Sequence, residues 1–155
     1  MDLTRFYRIA SAKFCADLSG KGAEILGGRF NPVGTAALYV ATSISLATLE
    51  MLVHTEDVFA LNHYIMAVDI PNVSMAKVKR YTAVDLPDSW NSLDSLVVAQ
   101  QFGHNVLFNA GGFGLLVPSV VTPEESNLVL NPHHAEMAGV RISELRKLAL
   151  DDRLK

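Results

Sequence analysis

The sequence is short of several things, and each shortage narrows what it can be. One cysteine, Cys15, among 155 residues leaves no internal disulfide and suits a reducing compartment. The densest basic cluster is only Lys77, Lys79 and Arg80, and the formal net charge is −3, so no basic stripe marks a nucleic-acid surface. The apolar runs are short, Ala36–Ala41 being typical, and fall far below the roughly 20 residues of a membrane helix. The opening Met-Asp-Leu-Thr-Arg-Phe-Tyr-Arg has charges where a signal peptide needs its apolar core. A soluble, cytoplasmic protein with no membrane and no direct nucleic-acid contact is therefore expected. Its five histidines are scattered, with no H-x-x-x-H or C-x-x-C spacing, so no metal is expected. Ser119 lacks a G-x-S-x-G elbow, and Gly111-Gly-Phe-Gly114 precedes a strand rather than opening a helix.

What is present reads as one α+β domain spanning residues 1–155, half of it hydrophobic. Phe6–Ile9, Ala36–Ala41, Tyr64–Ile70, Leu115–Val117, Leu128–Leu130, Val140–Ile142 and Leu148–Leu150 read as short strands. Ser19–Gly28 reads as a glycine-rich loop. Thr42 or Ser43 is placed to cap a helix with an apolar stripe of Leu46, Leu49, Leu52 and Val53. A second helix is expected over Ser95–Phe102, with Gly103 as its C-terminal cap.

Chemistry concentrates between Gly27 and Glu50. Within 22 residues the chain supplies a guanidinium (Arg29), a phenol (Tyr39) and a carboxylate (Glu50). Arg29 offers a planar fork of donors that matches phosphate, or it bonds loop carbonyls at the surface. Arg8 lies in an apolar strand pattern; facing inward it needs an anion or carbonyls, and otherwise it faces solvent. Glu50 borders the helix stripe, either as an acid against a packed surface or as a solvated carboxylate. Tyr39 reads as a core aromatic with a satisfied hydroxyl, and Ser119 as a hydroxyl bonding nearby backbone. Singly, none of the five declares a site.

Their order along the chain says more. Tyr7-Arg8, Gly27-Gly-Arg-Phe-Asn-Pro-Val-Gly34, Leu38-Tyr-Val-Ala41, Ala47-Thr-Leu-Glu50 and Leu86-Pro-Asp-Ser-Trp90 come first. Val117-Pro-Ser-Val120, Glu125-Ser-Asn-Leu-Val-Leu-Asn-Pro-His-His134 and Leu150-Asp-Asp-Arg-Leu154 follow. This ordered set resembles the RES family, toxins of bacterial toxin–antitoxin pairs named for an arginine, a glutamate and a serine. The resemblance implies a fold akin to ADP-ribosyltransferase toxins and NAD+ as substrate, with no cofactor. Carried over, the catalytic set is Glu50, Arg29 and Arg8, and the substrate-binding set is Arg8, Arg29, Tyr39, Ser119 and Asn131. The implied reaction is cleavage of the nicotinamide–ribose bond, depleting NAD+ by hydrolysis or phosphorolysis. The alternatives are ADP-ribosylation of a host metabolic protein and a non-catalytic nucleotide-binding module. The resemblance also implies a homodimer and an antitoxin of Xre-type helix-turn-helix class covering the site. Phe30 stands where the family usually has Trp, Gly103-His-Asn-Val-Leu107 where it has Gly-Asp-x-Trp-Leu, and Ala135 where it has proline. These departures bear on acceptor preference rather than on substrate class.

Overall fold

A computed structural model describes residues 2–55 and 62–154. Seven strands run β1 (Leu3–Ser11), β2 (Leu38–Ala41), β3 (His63–Pro71), β4 (Val78–Arg80), β5 (Gly114–Pro118), β6 (Ser126–Leu130) and β7 (Arg141–Lys147). Four helices, α1 (Lys21–Leu26), α2 (Ile44–His54), α3 (Asn72–Met75) and α4 (Val97–Gly103), connect them. The strands form one mixed sheet in the order β4-β5-β6-β2-β1-β3-β7, with β4–β5 parallel and every other pair antiparallel. The α+β expectation holds.

Side chains alternate across a sheet, so register decides what shares a face. Ala67 pairs with Tyr7, Tyr7 with Ala41, Ala41 with Asn127 and Asn127 with Val117. That row crosses five strands on one face. One residue along, Met66–Arg8 and Val40–Leu128 belong to the opposite face. There Phe6, Leu38, Val40, Met66, Val68, Leu128 and Leu130 form the larger apolar cluster. The Asn127 face is covered in two pieces. Phe30, Trp90, Leu107, Leu115, Val117 and Val129 pack around α4, while Leu46 and Ala47 of α2 pack on Ala41. Strands β1 and β2 meet only at Tyr7–Ala41.

Several expectations need correction. The loop expected over Ser19–Gly28 contains α1, a helix too short to show a period. Ser43 caps α2 as expected, its Oγ accepting from the Leu46 amide at 3.0 Å. The buried face of α2 is Leu46, Ala47 and Met51, however, while Leu49 and Val53 are exposed. Glu50, one turn beyond Leu46, is therefore on the inward face and not at its border. Gly103 is the last residue of α4 and not a cap beyond it, because its φ of −61° and ψ of −41° are helical and the chain continues through a wide turn over His104–Phe108. A Cβ there would sit 1.9 Å from the Phe30 carbonyl oxygen, so close backbone approach explains this glycine. Strand β7 is longer than Val140–Ile142 because pairing with β3 holds its polar residues, and Leu148–Leu150 is not a strand. The Lys79 and Arg80 cluster belongs to edge strand β4, where charge discourages further pairing.

Candidate active site

The site is built where side chains of α2 bond to β6 and to the β5–β6 connection. The Ser43 hydroxyl donates to Glu125 Oε1 at 3.2 Å, and the Ser119 amide donates to the Glu125 carbonyl at 2.9 Å. These bonds fasten the β5–β6 connection to the start of α2. Two turns along α2, Glu50 Oε1 accepts from Ser119 Oγ and from Asn127 Nδ2, both at 2.7 Å. The Ser119 oxygen accepts in turn from the amides of Val121 and Thr122, at 3.0 and 3.1 Å. With its acceptor capacity taken by those amides, the hydroxyl proton is directed at the carboxylate. Ser119 is 1% exposed and the Glu50 side chain 26% exposed, so the carboxylate meets the cleft from a fixed base. Glu50 Oε2 has the imidazole of His54, one turn on, at 4.0 Å.

Arg29 is presented by a tight turn. The Gly28 amide donates to the Asn31 carbonyl at 3.0 Å, with Arg29 and Phe30 at the tip. Tyr39 clasps this turn, its hydroxyl donating to Asn31 Oδ1 at 2.6 Å and accepting from the Phe30 amide at 3.0 Å. A Cβ on Gly28 would lie 2.8 Å from that hydroxyl, which explains the glycine. Arg29 Nη1 donates to the carbonyls of Trp90 and Ser92, at 3.0 and 2.8 Å, and among the described residues Nε and Nη2 make no hydrogen bond. Burial lowers the Arg29 pKa from its ordinary range, opposed by attraction from Glu50 and then Tyr39. Burial raises that of the Tyr39 phenol, so it acts as a neutral hydrogen-bonding group.

A cleft of about 1060 Å³ runs between these groups, lined by Arg8, Arg29, Tyr39, Glu50, His54 and Asn127 among others. The structure thus brings Arg29, Tyr39, Glu50 and Ser119 together. Arg8 is placed differently. It borders the cleft, but its register partner is Met66 on the opposite face, and its Nη1 donates to the carbonyls of Phe14 and Asp17 at 3.2 Å. Burial lowers the Arg8 pKa, and the opposing attractions come from Asp17 and Cys15. Asn131 stands apart: its Nδ2 donates to the Gly112 carbonyl and its Oδ1 accepts from the His133 amide, holding the turn after β6. Three polar residues escaped the sequence reading: Asn31, Asn127 and Gln100, whose amide donates to the Gly28 carbonyl at 2.9 Å. Asn31 and Asn127 lie within the quoted motifs, which was the available signal. Among the described residues, no group of three His, Cys, Asp or Glu side chains is arranged to hold a metal ion, and no helix is long and apolar enough to cross a membrane.

A carboxylate on a bonded base and a guanidinium line one cleft of an α+β fold. The chain belongs to the RES domain family, whose sequence model matches residues 5–151. It is 38% identical over 155 residues to the Prs ADP-ribosylating toxin of Sphingobium sp. (strain YBL2), covering 97% of this chain and 96% of that one. It is 37% identical over 153 residues to a Toxin Res of Yersinia enterocolitica, covering 96% and 98%. Its fold matches a chain in the crystal structure of the M. tuberculosis MbcT–MbcA toxin–antitoxin complex with a TM-score of 0.73 at 21% identity, covering 95% of this chain and 85% of that one.

Proposed function

We propose that this chain is a toxin that cleaves the nicotinamide–ribose bond of NAD+. The observation that carries the reading is the Glu50 carboxylate, which lines the cleft and is held through Oε1 by Ser119 and Asn127, with Oε2 4.0 Å from His54. Cleavage of this bond passes through an oxocarbenium-like centre at the ribose carbon. Nicotinamide departs from a pyridinium as a neutral molecule, so no acid is needed to protonate it and one carboxylate suffices. Glu50 Oε2 accepts from a ribose hydroxyl and stabilises the positive charge that develops beside it. Arg29 offers Nε and Nη2 to the diphosphate, fixing the reacting carbon against Glu50. Arg8 borders the same cleft, and with its Nη1 on the carbonyls of Phe14 and Asp17 it supports the cleft wall and adds positive charge near the anion. Tyr39 contributes a ring wall and keeps the Arg29 turn closed. None of these steps calls for a metal or a further cofactor.

Water as acceptor releases ADP-ribose and a proton; inorganic phosphate gives the ADP-ribose phosphate ester. Either depletes NAD+. Similarity to a toxin named for ADP-ribosylating Prs favours a second reading, in which a protein side chain takes the ADP-ribose after the same first step. Cleavage in the producing cell calls for restraint. An antitoxin of Xre-type helix-turn-helix class covering the cleft, with the toxin as a homodimer in the cytoplasm, completes the proposal. The match to a chain of a toxin–antitoxin complex supports such a partner.

The test incubates purified chain with NAD+ alone, with phosphate, and with cell extract, following free nicotinamide and the fate of ADP-ribose. Glu50→Gln is expected to lose about 10²–10³-fold in turnover while keeping its unfolding midpoint. A fully active Glu50→Gln protein would sink the assignment.

A further inference from the structure

Resting on the reading of Glu50 just given, we propose that Asn127 is a positioning residue for that carboxylate. It assigns the two oxygens different tasks, Oε1 as the anchored atom and Oε2 as the atom offered to the ribose. Asn127 has three properties that suit this role. It sits on β6 in the row Tyr7–Ala41–Asn127–Val117, on the face where α2 packs on Ala41. An ionised carboxylate only accepts hydrogen bonds, so the amide nitrogen is the end of Asn127 that faces Glu50, at 2.7 Å. Finally, Ser119 reaches the same oxygen from the β5–β6 connection, giving Oε1 two donors from separate elements.

A carboxylate held by one donor can still turn about its last torsion, which is broad for this side chain. Two donors converging on one oxygen from β6 and from the β5–β6 connection fix that torsion and define where Oε2 points. A short apolar residue at 127 would let the carboxylate rotate out of this pose, lowering the fraction of molecules in reacting geometry. An aspartate there would have the shape of asparagine but set a second carboxylate against the first. A residue retained for shape alone would tolerate aspartate better than alanine. A donor to Glu50 predicts the reverse.

The test compares wild type, Asn127→Ala and Asn127→Asp for NAD+ cleavage at pH 8, alongside a stability cycle of Glu50→Ala, Asn127→Ala and the double variant. Loss of one charge-assisted bond is expected to lower kcat tenfold to a hundredfold in Asn127→Ala with KM moved less than threefold. Asn127→Asp is expected to be at least as impaired. In the cycle, the two substitutions should be non-additive by about tenfold in the unfolding equilibrium constant, because removing either partner removes the same bond. Unchanged kcat in Asn127→Ala, or Asn127→Asp more active than Asn127→Ala, overturns the proposal. Additive stability effects overturn it as well, and they do so even if the wild-type protein leaves NAD+ intact, a result that would instead sink the functional reading.

Discussion

On one face of the sheet Leu38, Val40, Met66, Val68, Leu128 and Leu130 close into a single apolar cluster. On the other, buried Ser119 and half-buried Asn127 turn polar atoms toward Glu50, which lines an open cleft. Both faces come from the same strands, and one residue of register separates Leu128 from Asn127. The closed face stabilises by removing apolar surface from water, which requires no direction. The open face holds polar groups away from bulk water and therefore requires a partner for each: Ser119 has two amides and a carboxylate, and Tyr39 has Asn31 and Phe30. Packing tolerates a change of shape at a cost in stability, whereas a directed network loses its aim when one donor goes. The fold thus separates the region that holds the chain together from the region that can bind and react.

Three perturbations test that separation, from the largest effect to the smallest. Leu128→Ala removes a fully buried side chain from the closed face and should destabilise the protein by about 2–5 kcal/mol in denaturant unfolding. NAD+ cleavage per folded molecule should stay near wild type, and a matching loss of specific activity would show that the faces are coupled. Gly103→Ala drives a Cβ into the Phe30 carbonyl and should cost about 1–3 kcal/mol. Because Phe30 follows Arg29, this variant is also expected to raise KM, a consequence Leu128→Ala lacks. A KM equal to wild type would detach α4 from the Arg29 turn.

The smallest effect concerns acid. Bonding to Arg5, whose Nε lies 2.8 Å from Asp69 Oδ1, holds the Asp69 carboxyl below its ordinary range against the effect of burial. A group with a depressed folded pKa adds stability above its unfolded pKa, about 3.9, and loses it as pH falls through the folded value. Asp69→Asn should therefore be less stable than wild type at pH 7, with the gap shrinking below about pH 4 in thermal melts. A gap that does not depend on pH would show that charge is not what Asp69 contributes.

Short-range chemistry was legible along the chain and long-range geometry was not. Ser43 could be recognised as a cap because a cap acts within three residues of itself. Strands β3 and β5 could be recognised because Pro71 and Pro118 end apolar runs. The ordered motifs pointed to Arg8, Arg29, Tyr39, Glu50 and Ser119; in the fold the first four line one cleft and Ser119 bonds Glu50 from behind it. Asn127 was hidden, although it lies in a quoted motif, because its partner is 77 positions earlier and the contact depends on register across β6 and the crossing of α2. Gly103 was misread because a glycine near the end of a helix pattern suggests a cap, and nothing local reveals the Phe30 carbonyl against it.

Arg8 and Arg29 show where that boundary falls. Their charge, their reach and their need for anions or carbonyls follow from residue type, and the strand pattern around Arg8 follows from its neighbours. Which side of the sheet each one serves depends on pairing. Arg8 is level with Met66 and bonds the carbonyls of Phe14 and Asp17, while Arg29 rides a turn clasped by Tyr39 toward Glu50. Side-chain chemistry belongs to single residues, so the order of residues carries it. Direction belongs to pairs of residues distant in sequence, and only the packed sheet supplies it, because a shift of one residue moves every side chain to the other face.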